Sequence, residues 1–218
     1  MRQFTRIWVM AVMVSTFLLA FVGTSADASS LGRRTFRATD DNNRNLVTLE
    51  SSGQLETLFA LTSSLTLTTD LNLDSIQDTP RLEMTVDLGK LTTGFADRNT
   101  TVFSRTFLDF GAATNLSFRL TSFERSRSWV LNNEQRIEVT GVGELTLGGK
   151  TANVALDLFL TRLEQNEITK GRLPGDLLHM VGTFNFRLSD FGIRIPPEAL
   201  LKLNDLVKIH FDAFATNQ

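Results

Sequence analysis

His179 and His210 are the two histidines of a 218-residue chain without cysteine, so few of its side chains could do nucleophilic or metal chemistry near neutral pH. They stand 31 residues apart, and no HExxH, CxxC or comparable ligand spacing accompanies them. His210 alternates with Val207, Ile209 and Phe211, which reads as a solvated strand histidine. No GxSxG elbow supports a hydrolase triad. The glycines of "GVGELTLGG" (141–149) lack both a following helix and a GK[ST] step, so they do not make a phosphate cradle. Carboxylates at Asp40, Asp41, Asp70, Asp74, Asp87, Asp97 and Asp109 are scattered, whereas acid–base pairs must converge. The expectation is a protein that is not an enzyme, with no metal and no cofactor.

The chemistry that remains is burial. Seventeen phenylalanines, two tryptophans and no tyrosine supply large apolar faces without a polar handle. Their concentration in "TGFADRNTTVFSRTFLDF" (93–110) is notable, because Phe103, Phe107 and Phe110 recur at i, i+4 and i+7 and would form one apolar helical stripe. Thr and Asn are weak helix formers, so a short or distorted helix is expected there. Arg98 is the polar side chain best placed to anchor it.

The elements that must position this segment read as strands. Leu65, Leu67, Leu71 and Leu73 share one parity, and period-two runs recur around 82–88, 116–120, 137–147, 154–160, 180–186 and 207–213. Weaker candidates lie at 46–50 and 55–61. Strands wet on one face describe an antiparallel all-β domain. Gly148-Gly149-Lys150 reads as a tight hairpin and 73–80 as a polar turn. Gly141 and Gly143 suggest a bulge where a sheet curls, favouring a barrel over a sandwich. Residues 161–176 read as a solvated loop, and "PPEALLKL" (196–203) as a short helix before the last strand.

The amino terminus reads differently. Arg2 and Arg6 precede an apolar run from Ile7 to Val22, and Ala26-Asp27-Ala28 offers a cleavage site, which predicts a secretory signal over 1–28. The run is too short for a spanning helix, which takes about 20 apolar residues. Polar residues 29–44 read as a flexible leader, leaving 45–218 as one domain. The formal net charge of −2 becomes one unit more negative without Arg2, Arg6 and Asp27. That excludes concentrated basic charge, so no nucleic acid partner and no polybasic membrane patch is expected.

The order of short motifs carries a resemblance. Thr93-Gly94, Asp97-Arg98-Asn99, Phe107-Leu108-Asp109, and Leu116 with Phe118 come first. Val139-Thr140-Gly141, Leu145-Thr146 and Gly149-Lys150-Thr151 follow, then Ser189-Asp190-Phe191-Gly192, then Asp205, Val207, Ile209 and Asp212. Over about residues 45–214 the chain resembles the YceI-like family of secreted, lipocalin-like bacterial proteins, some of which bind polyisoprenoid lipids. The resemblance implies an eight-stranded antiparallel barrel with residues 93–110 as a short helical excursion across one end. It departs from the family at Thr101 and Phe103, where a His and an Arg are usual, and at Thr114, Gly148 and Leu188. These changes make the mouth more apolar and point to a ligand without a charged head.

The function implied is sequestration or transport of an isoprenoid quinone, isoprenoid alcohol or similar lipid in the bacterial periplasm or outside the cell. Phe95, Phe103, Phe107, Phe118, Phe184, Phe186 and Phe191 are the candidate apolar wall, and Arg98 the candidate headgroup or mouth anchor. No stable membrane insertion is expected after signal cleavage, and a homodimer is left open. The alternative is an envelope stress-response or protein-interaction module with no lipid ligand.

Overall fold

A computed structural model describes residues 30–38, 44–103 and 115–218. The signal, the leader residues 39–43 and the part of the excursion carrying Phe107 and Phe110 lie outside the described residues. Ten strands are described: β1 (Arg33–Ala38), β2 (Leu46–Ser52), β3 (Thr57–Thr62), β4 (Leu65–Asn72), β5 (Arg81–Asp87), β6 (Asn115–Ser126), β7 (Arg136–Leu147), β8 (Lys150–Leu163), β9 (Leu177–Arg187) and β10 (Leu206–Thr216). One short helix, α1 (Ala96–Val102), lies between β5 and β6.

All strand pairs are antiparallel, and eight strands close in the order β1–β4–β5–β6–β7–β8–β9–β10, with β10 returning to β1. This is the eight-stranded barrel expected. The remaining hairpin, β2–β3, is attached to it at β10. One edge of β10 is fully paired with β9. The other edge is divided, with Val207 to Asp212 taken by β2 and Thr216 facing Arg37 of β1. The period-two pattern accounts for the interior, since Leu67, Leu71, Met84, Leu145, Leu156, Leu158, Leu160 and Ile209 are all buried on inward parity.

Three details differ from the sequence reading. Residues 33–38, read within a flexible leader, form β1 and pair with β4 over its whole length. A single inward apolar residue, Phe36, is fully buried, and two carboxylates add to the backbone ladder. Asp74 accepts from the Ser30 hydroxyl at 2.6 Å and from the Leu31 and Gly32 amides at 2.9 Å, while Asp70 pairs with Arg33 and accepts from Thr35 at 2.8 Å. One phenylalanine among polar residues gives too weak an alternation to be read as a strand.

The bulges, second, lie in β6 opposite the glycines. The register skips between Leu120 and Ser122 and again between Phe123 and Arg125. The first skip moves the inward position from Leu120 to Phe123, and the strand bends there. Gly143 instead leaves room for a ring, since a Cβ on it would stand 2.4 Å from the Phe118 side chain. Gly182 does the same for Phe211, whose ring atoms would lie 2.3 Å from an added Cβ. Third, the expected helix over 196–203 is a 3₁₀ turn at Pro197–Ala199, continued by the Lys202 and Leu203 amides donating to the Ala199 carbonyl at 2.9 Å. The β7–β8 hairpin turns as read, with Gly148 and Gly149 both left-handed.

Because the Phe211 ring is buried and cannot retreat, Gly182→Ala is expected to destabilise the fold by about 1–3 kcal/mol through overpacking. Phe211→Leu should recover part of that loss, giving non-additivity in denaturant unfolding. Additive effects would show that ring and glycine do not share that space.

An acid prediction follows from β1. Ser30, then the Leu31 and Gly32 amides, hold the Asp74 carboxyl below its ordinary range. At Asp70 desolvation pushes upward but is outweighed by Arg33 and Thr35, so the net shift is also downward. Depressed folded-state pKa values mean this stabilisation is complete above the unfolded value of about 3.9 and is lost as pH falls through the folded values. Hydrogen exchange across an acid titration should release the Arg33–Ala38 amides before those of β8 and β9, and simultaneous release would contradict it.

Candidate functional site

Antiparallel order puts the β5–β6 excursion, the β7–β8 hairpin and the β9–β10 connection at one end of the barrel. There α1 is held by Asn99, the residue at its middle. Asn99 Oδ1 accepts from the Thr93 amide and hydroxyl, both at 2.7 Å, and Asn99 Nδ2 donates to the Thr92 hydroxyl at 2.9 Å. Thr92 is in turn bridged to β3, exchanging backbone hydrogen bonds with Leu61 at 2.8 and 2.9 Å. The excursion is therefore tied to the β2–β3 hairpin through Asn99, a residue whose poor helix propensity is offset by these three bonds.

Between α1, β3 and the turn after Pro197 lies a cavity of about 430 Å³, lined by Glu56, Leu58, Asp97, Arg98, Val102, Lys202 and Leu203. That volume is within the usual 300–1,000 Å³ range of ligand pockets. Its floor is apolar, because Leu58, Val102 and Leu203 are buried and belong to the hydrophobic core. Its rim is charged. Arg98 Nη2 lies 3.8 Å from Glu56 Oε2, and both side chains are about two-fifths exposed, so the pair is loose and screened. The Arg98 guanidinium also stands 5.4 Å over the Phe95 ring. Leu55, Leu200 and Leu201 are exposed beside it, the Leu55 amide donating to the Leu201 carbonyl at 2.8 Å.

The expected aromatic wall separates into parts. Phe118, the fourth residue of β6, and Phe184, fourth from the end of β9, are buried in the interior toward the excursion end and stack, ring centroids 5.7 Å apart. Phe186 and Phe191 meet edge to face at 5.4 Å under the Ser189–Gly192 turn. Asp205 closes that turn, accepting from the Ser189 amide and hydroxyl at 2.8 Å. Desolvation there pushes the Asp205 carboxyl upward, but Ser189 and Arg187 outweigh it and hold it below its usual range. Phe103 is half-buried against the core. Phe95 is 65 % exposed and stands outside any wall, as the partner of Arg98. Phe107 lies outside the described residues. Among the described residues, Arg98 alone of those named lines the cavity.

Sequence reading placed none of Glu56, Leu58, Asp97, Val102, Lys202 and Leu203 at this site and gave Asn99 no anchoring role. Asp97, Asn99 and Val102 lie within the excursion it singled out; the others reach the cavity from distant segments. Elsewhere, His179 Nε2 is 2.9 Å from Asp212 Oδ1 and its ring stacks on Phe214 at 4.2 Å, while His210 Nδ1 meets the Thr183 hydroxyl at 3.1 Å. Both lie on the outer face of β9–β10, and among the described residues no group of three His, Asp or Glu could hold a metal ion. Arg162 contradicts the reading of 161–176 as wholly solvated. It is on inward parity at the opposite end of the barrel, only 3 % exposed as a residue, paired to Glu164 at 2.5 Å with Asp176 at 3.7 Å.

Comparison with known proteins agrees with this architecture. The model of the YceI-like domain matches residues 39–215, most of the chain. No curated protein matches. Among solved structures, Burkholderia cenocepacia BcnA superimposes with a TM-score of 0.60 at 16 % identity, covering 81 % of this chain and 99 % of that one. A polyisoprenoid binding domain from Saccharophagus degradans, implicated in plant cell wall breakdown, gives 0.58 at 13 % identity, covering 85 % and 99 %. The Campylobacter jejuni YCEI protein gives 0.52 at 15 %, covering 71 % and 81 %. At such identities these structures speak for the fold alone. The family match extends from just after β1 to the end of β10, and on that ground the chain belongs to the family of YceI-like domain proteins.

Proposed function

We propose that this protein is a secreted carrier for an isoprenoid-type lipid, a quinone or an isoprenoid alcohol, working in the bacterial periplasm. The observation that carries the reading is the cavity at the excursion end, where a buried apolar floor of Leu58, Val102 and Leu203 meets a charged rim. Such a site takes an amphiphile, with the tail on the floor and the polar end at the rim. The polyisoprenoid binding domain of Saccharophagus degradans shares the fold and lends the ligand class. Each methylene buried is worth about 0.8 kcal/mol before ordering costs, so a few isoprene units supply useful affinity.

Packing inside the barrel bears on how the lipid sits. Phe118 and Phe184 stack across the interior, with Gly143 lying beneath the Phe118 ring and Gly182 beneath that of Phe211. The head and first isoprene units belong in the cavity by α1, and a longer tail enters further only by displacing that aromatic pair. The same packing favours the second reading, a protein-interaction module of the envelope that holds no lipid.

One experiment separates the two readings. Protein purified from its own organism is weighed by native mass spectrometry and then extracted with solvent. The carrier reading expects a mature chain beginning at Ser29 with a co-purifying isoprenoid, and Val102→Glu should lose the lipid while keeping its far-ultraviolet spectrum. An empty protein supports the module instead, and a lipid indifferent to Val102→Glu would overturn the assignment of the lipid to this cavity.

A further inference from the structure

We infer that Gly53 is a positioning residue for the cavity: it lets the β2–β3 turn lie directly on the backbone before β10, and so sets the separation of two cavity walls. This role rests on the lipid-carrier reading and adds to it the residue that gauges how wide a tail the floor accepts. A Cβ on Gly53 would stand 2.4 Å from the Lys202 carbonyl carbon, 2.5 Å from the Lys202 carbonyl oxygen and 2.7 Å from the Leu201 carbonyl oxygen. All three are backbone atoms, which cannot swing aside as the end of a side chain does. Glycine alone permits so close an approach.

Bonds on either side of the glycine draw the same two segments together. Ser51, 1 % exposed, accepts from the Asn204 amide at 2.9 Å and donates to the Asn204 carbonyl at 3.1 Å. The Leu55 amide donates to the Leu201 carbonyl at 2.8 Å. Gly53 lies between these two clamps in the chain. The cavity walls continue from the clamped segments, Glu56 and Leu58 on one side, Lys202 and Leu203 on the other. The third wall, α1, is held separately through Asn99 on Thr92 and Thr93. The spacing between the Leu58 and Leu203 sides of the floor therefore follows from the contact at Gly53. A radial gap of about 0.5–1 Å already forfeits a quarter to a half of a van der Waals contact, so a small parting of these walls is felt by a bound tail. A straight alkyl chain loses most from it, because a methyl-branched isoprenoid fills part of the added width.

The test uses the full mature chain freed of lipid by solvent extraction. Gly53→Ala forces the walls apart, Ser51→Ala removes one clamp without adding bulk, and Gly171→Ala, where an added Cβ meets nothing within 4 Å, is the control. Farnesol and the straight-chain alcohol of the same backbone length are titrated in the same detergent. In Gly53→Ala the ratio of farnesol to straight-chain affinity should rise by at least about threefold. Ser51→Ala should move it the same way by a smaller factor, and Gly171→Ala should leave it unchanged. A merely destabilising substitution lowers the competent fraction, which weakens both alcohols alike and leaves the ratio where it was. Hydrogen exchange reads the walls without lipid: in Gly53→Ala the Leu55 amide should exchange at least about tenfold faster while the β8 and β9 amides keep their protection. An unchanged ratio in Gly53→Ala, or a Leu55 amide as protected as before, would overturn the inference and leave the carrier reading intact. If Gly53→Ala does not fold, the ratio in Ser51→Ala decides in its place. If neither alcohol binds the unaltered chain, the carrier reading falls and the role of Gly53 in tail fit with it.

Discussion

Closure of the sheet at β10 is the constraint on which the other features depend. An antiparallel sheet of eight strands removes its edges only if the last strand finds the first, and here that strand must serve two partners along one side. The first part of β10 receives β2 and its final residues receive β1. Because β2 and β3 occupy the first part, the hairpin is carried around to the end where α1 lies, and Thr92 can bridge to Leu61. The cavity exists between these pieces. It is a consequence of an eight-member ring that shares one edge with an extra hairpin.

Filling the ring is the second constraint. A barrel of this size has an interior just wide enough for its own side chains or one small molecule. This chain uses aromatic rings that reach across, and the glycines opposite them leave the room those rings need. The open volume lies at the end instead, beside a helix anchored by side-chain hydrogen bonds and not by a continuous strand ladder. The apolar floor and the charged rim are thus contributed by different elements: Leu58 and Glu56 by the β2–β3 hairpin, Val102 and Arg98 by α1, Leu203 and Lys202 by the turn before β10.

Much of the fold was legible in the residues. Alternation located the strands from β2 to β10 because each has several inward apolar residues, and the paired glycines at 148 and 149 located a hairpin because both positions need left-handed backbone. β1 was not legible, since Phe36 is its one deeply buried side chain and what else holds it is the backbone ladder to β4 and polar bonds from it and the residues before it to Asp70, Asp74 and the turn at 78–79. Arg162 was hidden for a related reason: a charged residue near a polar loop reads as solvated, and only the pairing of β8 with β9 shows that its parity is inward.

The sequence by itself determined the class of structure and the family, because period-two patterning and the spacing of turn glycines are local properties that survive in one dimension. It also singled out the short, weakly helical excursion and Arg98 on it, beside which the cavity lies, while the phenylalanines it named pack elsewhere or lie outside the described residues. Only the tertiary structure decided which residues work together there. Phe95 is a surface partner of Arg98, Phe118 and Phe184 form a cross-barrel stack, and Asn99 anchors the helix. Glu56, Arg98 and Lys202 are far apart in the chain and meet because antiparallel closure brings every second connection to the same end of the barrel.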